Sequence, residues 1–193
     1  MVYDYPPIIM SWCFDGVLSH ETCQRIINLG GENWKRTKGD ETSYRVTDVS
    51  WINDQWIYDL LWKYMKSANE KAGWKYDIVS CENCQLARYT EGMHFAWHRD
   101  ALGSHNEVYD EPTHKFLHGN TRKLSMSIFL NSDYEGGDFE IHNHYQPMDK
   151  NPRITSGEGS IIVFPSFIVH RVVPVTKGIR YALVAWFLGP PFV

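Results

Sequence analysis

The chain has 193 residues, 43% of them hydrophobic and 15% aromatic, with a formal net charge of −4. That size and composition suit one domain with a sizeable core, and the acidic balance argues against an electrostatic nucleic-acid binder. No apolar run approaches the roughly 20 residues of a membrane span, and "MVYDYPPIIMSW" has no basic region ahead of its short apolar stretch, so neither a membrane anchor nor a signal peptide is expected.

The first predicted element is a helix in "LSHETCQRIINLGG". Ser19 is its N-cap, Cys23, Ile26 and Ile27 form an apolar stripe, and Gly30-Gly31 end it. A polar stretch at 32–50 follows, with Lys35, Arg36 and Lys38 read as a solvated loop. "DQWIYDLLWKYMKSANEKAGW" then predicts a longer helix. Trp56, Ile57, Leu60, Leu61, Tyr64, Met65 and Ala68 keep helical spacing, Asp54 caps the start and Gly73 stops it. Its apolar stripe is read as a face packed on a sheet. The four cysteines are Cys13, Cys23, Cys81 and Cys84. One C-x-x-C without a second close pair makes a poor zinc site, so all four are read as ordinary thiols, in keeping with a reducing, cytoplasmic setting.

From residue 80 the period changes to two. "RKLSMSIFLN" sets Leu124, Met126, Ile128 and Leu130 against Lys123, Ser125 and Ser127. "GGDFEIHNH" sets Asp138, Glu140, His142 and His144 against Phe139 and Ile141, and this polar set is read as a solvated face. "GSIIVFP" and "IRYALVAWFLG" are apolar strands. Residues 101–120 have no period and read as a long surface loop. Helices first and short strands afterwards predict a mainly β, α+β chain. One domain over 1–193 is expected, with 1–80 as helical support and 81–190 as the β core.

The chemistry-bearing segment is "HFAWHRD" at 94–100. On extended backbone His98 and Asp100 point to one side. Together they offer an imidazole and a carboxylate, two thirds of a facial triad for non-haem Fe(II). His94, four residues before His98, suits a helix and not a strand. In "GSIIVFPSFIVHRVVPVTKGIRYALVAWFLG", His170 ends an apolar run and Arg180 lies on an apolar strand face with Ala182, Val184 and Trp186. A guanidinium there needs an anion, and its planar fork suits a carboxylate. The "TKG" turn between them predicts two antiparallel strands carrying His170 and Arg180.

"ARYTEGMHFAWHRD", "RKLSMSIFLNSDYEGGDFEI" and "GSIIVFPSFIVHRVVPVTKGIRYALVAWF" resemble, in order, the prolyl 4-hydroxylase-type members of the Fe(II)- and 2-oxoglutarate-dependent dioxygenases. The resemblance covers roughly residues 83–188. It implies a double-stranded β-helix (jelly-roll), with His98, Asp100 and His170 as metal ligands. It further implies Arg180 on the far carboxylate of 2-oxoglutarate, Tyr89 reaching the cosubstrate, Gly136-Gly137 as a structural turn and Phe139 facing the site. The implied cofactors are Fe(II), 2-oxoglutarate and O2, with ascorbate as an accessory. The implied reaction is hydroxylation of an unactivated C–H bond with release of succinate and CO2. A prolyl residue of a peptide or protein is the expected substrate, with the loops at 32–50 and 101–120 as walls of a peptide groove. A free amino acid or other small molecule is the alternative. A non-catalytic binding module and a zinc hydrolase are rival classes. Bacterial or viral origin fits so short a chain.

Overall fold

The computed structural model describes residues 9–37, 44–101, 107–142, 153–154 and 156–192. Residues 1–8, Lys38, His105 and His144 lie outside that set, as do the readings that fell on them. In chain order the elements are β1 (Trp12–Phe14), α1 (His20–Asn28), β2 (Lys35–Arg36), β3 (Arg45–Val46), β4 (Asp48–Ile52), α2 (Gln55–Lys71), β5 (Ser80–Cys81), β6 (Cys84–Tyr89) and β7 (His94–His98). They continue as β8 (Thr121–Phe129), β9 (Glu135–Gly136), β10 (Phe139–Ile141), β11 (Arg153–Ile154), β12 (Ile161–Pro165), β13 (His170–Val172), β14 (Val175–Lys177) and β15 (Arg180–Gly189).

The strands form a jelly-roll. The larger sheet runs β1-β12-β8-β15-β6-β4-β2, with β5 also on β15, and the smaller runs β11-β10-β13-β7-β3. β14 and β9 make a separate ribbon. Strands of strict period two present one face to each side, so the larger sheet carries two cores. On one face, Leu86, Leu124, Ile128, Leu183 and Phe187 pack with Cys23 and Ile26 of α1 and Ile57, Leu61 and Met65 of α2. On the other, Ala87, Tyr89, Phe129 and Phe164 meet Phe139, Ile141 and Val172 of the smaller sheet. The site lies between the sheets.

Both helices stand where their patterns put them. The Ser19 hydroxyl accepts from the Thr22 N–H at 3.2 Å, satisfying one of the orphan donors of the first turn of α1. Asp54 occupies the N-cap position of α2, but its side chain makes no capping bond. Gly73 takes a φ of +72°, which ends α2 without strain.

Four readings change. The first third is not helical throughout: β1 to β4 lie there, and β4 runs beside β6 in the larger sheet with Trp51 opposite Gln85. Strands of two to five residues are too short to display a period. His170 and Arg180 are not on one hairpin, because β13 pairs with β7 and β10 whereas β15 pairs with β6 and β8. Two facing sheets thus carry them. Glu140 is not solvated: it is buried, with Arg171 Nε at 2.8 Å and Arg153 Nε at 3.3 Å. Polar alternation is the same for a wet face and for a buried ion pair. Residues 107–120 are more ordered than a bare loop, since Tyr109 bridges to His118 and donates its hydroxyl to Glu82 at 2.8 Å.

Candidate metal centre

β7 ends at His98, and Asp100 lies two residues past its end. Asp100 sits at a bend, and both side chains line the inter-sheet cavity. Opposite them, β13 begins at His170, which pairs directly with His98 in the ladder. Cross-strand neighbours on one face have side chains within reach of each other, so the register alone brings the second imidazole to the pair. His98 Nε2 lies 3.7 Å from Asp100 Oδ1, and His170 Nε2 lies 3.6 Å from Asp100 Oδ2. One donor atom from each of the three residues falls within 4.8 Å of the others.

The hydrogen bonds fix which nitrogen faces inward. His98 Nδ1 donates to the Ala96 carbonyl at 2.8 Å, and His170 Nδ1 to the Ile168 carbonyl at 3.0 Å. A carbonyl only accepts, so each Nδ1 carries the proton and each Nε2 presents a lone pair to the centre. Burial, then the neighbouring His170 ring, pushes the His98 imidazole down to about 4, despite the opposing pull of Asp100. For Asp100 burial works upward. The two histidines, a hydrogen bond from Ser125 and the charge of Arg122 outweigh it, and hold the carboxyl below its ordinary range. Neutral imidazole beside ionised carboxylate is the state in which these groups bind a metal.

The same cavity is lined from the larger sheet by Tyr89, Arg180 and Trp186. Arg180 is 1% exposed, yet its Nε and Nη2 have no hydrogen-bond partner. Its guanidinium faces the rings of Tyr89 and Phe129 at 5.4 and 5.5 Å. Asp100 Oδ2 is likewise buried and unbonded. Unsatisfied buried polar atoms are rare in folded chains, and here they sit on the two sides of one cavity. The donor set, two imidazoles and a carboxylate, suits Fe(II) with coordination positions left open, and the bare guanidinium suits a carboxylate ligand. The residues present therefore fit a ferrous ion with a dicarboxylate cosubstrate.

Gly136 and Gly137 have φ of +71° and +63°. A Cβ on Gly137 would come within 2.9 Å of Val175 Cγ2 and 3.0 Å of Arg180 Cδ. The glycine pair thus makes room for the arginine stem. Phe139 faces the site, 5.4 Å from the His170 ring, and Trp186 walls the cavity. His94 bonds locally to the Gly92 carbonyl, and among the described residues the converging set comprises His98, Asp100 and His170.

Three further cavity residues escape a sequence reading: Arg45, Gln85 and Phe95. Phe95 stacks on His98 at 3.4 Å, and Arg45 lies over the outer Phe95 ring at 4.5 Å. Arg45 Nη2 donates to Gln85 Oε1. Arg45 belongs to a polar stretch, and only the pairing of β3 with β7 delivers it to the cavity.

Comparison with known proteins agrees with this geometry. A PKHD-type hydroxylase of Synechococcus sp. (strain CC9311) is 27% identical over 175 residues, covering 88% of this chain and 74% of that protein. One of Alteromonas mediterranea is 33% identical over 102 residues, 51% of this chain and 40% of the relative, so the match spans well under half of that longer protein. The fold is similar to viral collagen prolyl hydroxylase from Paramecium Bursaria Chlorella virus-1, solved with 2OG. The TM-score is 0.69 at 18% identity, over 94% of this chain and 97% of that one. It is also similar to a Trichoplax adhaerens prolyl hydroxylase solved with a hypoxia inducible factor peptide, at a TM-score of 0.60 and 18% identity over 92% and 82%. The family model for the 2OG-Fe(II) oxygenase superfamily matches residues 84–188, more than half of the chain and every residue of the converging set. By that match the chain belongs to the 2OG-Fe(II) oxygenase superfamily, the dioxygenases that use Fe(II), 2-oxoglutarate and O2.

Proposed function

We propose that the chain hydroxylates a prolyl residue of a peptide or protein, with Fe(II) held by His98, Asp100 and His170. One observation carries the proposal: two inward-facing imidazole nitrogens and a carboxylate share a cavity with a buried, unbonded guanidinium. Bound there, Fe(II) would supply O2 activation coupled to oxidative decarboxylation of 2-oxoglutarate. Arg180 takes the far carboxylate of the cosubstrate through its free Nε and Nη2, and so sets its orientation. Tyr89, opposite Arg180 in the β6–β15 ladder, walls that pocket and keeps water from the ion pair. Phe139, Phe164 and Trp186 make the remaining surface apolar and exclude solvent.

A peptide, rather than a small molecule, is favoured by the adjoining surface. A groove lined by Trp51, Tyr58, Trp62, Phe116 and Leu117 runs along the end of the larger sheet. Trp51 and Phe116 are more than half exposed, and Trp51 lies 6.3 Å from the cavity wall at Trp186. Exposed aromatics grouped in a concave strip mark a binding surface. The Trichoplax adhaerens prolyl hydroxylase, solved with a peptide, supports the same class of substrate. Among the described residues no helix is long and apolar enough to cross a membrane.

The test is incubation with proline-containing peptides and with free amino acids, reading succinate and the addition of one oxygen to the substrate. Both should depend on Fe(II) and 2-oxoglutarate, and Asp100→Ala should abolish both. Near-native turnover by that variant would remove the carboxylate from the metal set, and oxygen addition confined to free amino acids would replace the peptide reading.

A further inference from the structure

Five arginines of the described chain are buried or half-buried: Arg45, Arg88, Arg122, Arg171 and Arg180. Three of them hold carboxylates, Arg88 on Asp48 at 2.9 Å, Arg122 on Glu82 at 2.6 Å and Arg171 on Glu140 at 2.7 Å. Arg45 and Arg180 form no ion pair among the described residues, and both line the metal cavity. A guanidinium wholly or partly withdrawn from water without a counter-ion is unfavourable, so buried Arg180 and half-buried Arg45 in one cavity indicate two anions to come. The cavity's own carboxylate, Asp100, lies beyond ion-pair distance of Arg45 and is already flanked by His98 and His170.

Taking the proposed function as given, the two anionic ends of 2-oxoglutarate are assigned to Arg180 and to the metal. Arg45 is left over. Its Nε is buried with no partner, and its Nη2 is held by a neutral amide, Gln85, which orients the guanidinium without discharging it. Its flat face is braced on Phe95, which is stacked in turn on His98. A group bound to the free edge of Arg45 therefore sits one aromatic ring away from the metal centre. We infer that Arg45 is a specificity-determining residue that binds a carboxylate of the primary substrate, placed within a few bonds of the carbon to be hydroxylated. The carboxylate can come from two sources: the free C-terminus of a chain or amino acid, or an acidic side chain next to the reacting residue.

The experiment uses the protein loaded with Fe(II) and 2-oxoglutarate in the absence of O2, so that binding is read without turnover. Four probes are titrated by calorimetry: a peptide ending in proline as the free acid, the same peptide amidated, and two amidated peptides with internal Pro-Glu or Pro-Gln. One charged probe should bind about tenfold more tightly than its neutral twin, as a charge-assisted pair predicts. The pair that shows the difference identifies the source. Arg45→Met should erase that ratio and Arg45→Lys should keep part of it, while far-UV circular dichroism of both variants matches the parent and vouches for their fold. Equal affinity for charged and neutral twins, no binding of any charged probe, or a ratio that survives in Arg45→Met would overturn the inference. The two readings fail separately. Carboxylate-selective binding with no oxygen added to proline in air removes the prolyl reading alone, whereas equal hydroxylation of charged and neutral twins removes the role of Arg45 alone.

Discussion

In an Arg180→Met variant, a buried guanidinium with two unbonded nitrogens is exchanged for a shorter, unbranched apolar chain. Desolvating an unpaired ion costs several kcal/mol after relaxation. The Tyr89 and Phe129 faces at 5.4 and 5.5 Å return about 1–2 kcal/mol of that through cation–π attraction. About 2 kcal/mol remains against the wild type when no cosubstrate is present. The variant should therefore be more stable than the parent as the metal-free, cosubstrate-free protein, with Tm raised by about 4–8 °C for a chain of this size. With Fe(II) and 2-oxoglutarate under argon the order should reverse. At a hundred times Kd the ligand adds about 2.7 kcal/mol to the wild type, and it should add almost nothing to the variant. Thermal unfolding of both proteins, with and without cosubstrate, reads both effects. A variant less stable than the parent in the free state would refute the unpaired-charge argument, and one protected equally by 2-oxoglutarate would refute the role of Arg180.

Gly137→Ala must accept a φ of +63° and contacts of 2.9 and 3.0 Å with Val175 and Arg180. A loss of about 1–2 kcal/mol in urea unfolding is expected from the backbone alone, with a raised KM for 2-oxoglutarate as the guanidinium shifts; an unchanged KM would show that the stem tolerates the methyl group. For pH, the His98 imidazole of the metal-free protein titrates near 4 rather than 6.5. Between those values the unfolded chain binds more protons, so stability should fall as pH falls from 6.5, by up to about 1.4 kcal/mol per pH unit. Asp100, held below its ordinary range, adds a further loss on acidification through its folded-state pKa. Urea unfolding in the presence of a chelator across this range should show a shallower slope in His98→Gln, and an equal slope would assign the protons elsewhere.

Much of the site was legible because its chemistry is carried by short-range signals. H-x-D on extended backbone needs no knowledge of the fold, and an arginine on an apolar strand face stands out as a buried charge. The long helix α2 was legible for the same reason, since Ile57, Leu61, Met65 and Ala68 repeat their stripe over about three turns. What was lost depends on pairing at long range. Two-residue strands such as β3 have no pattern of their own, and Arg45 reaches the cavity only because β3 docks on β7. Likewise Glu140 reads as surface until Arg171 and Arg153 are seen against it.

The division of the site between two sheets has a consequence for cosubstrate choice. The donor cluster lies on the side of the smaller sheet and Arg180 on the larger one, and packed sheets stand roughly 10 Å apart. Under the proposed assignment that gap is a gauge for molecular length. A five-carbon keto diacid suits the part of it that the imidazoles and the guanidinium leave open, while its four-carbon homologue leaves the guanidinium short of a partner.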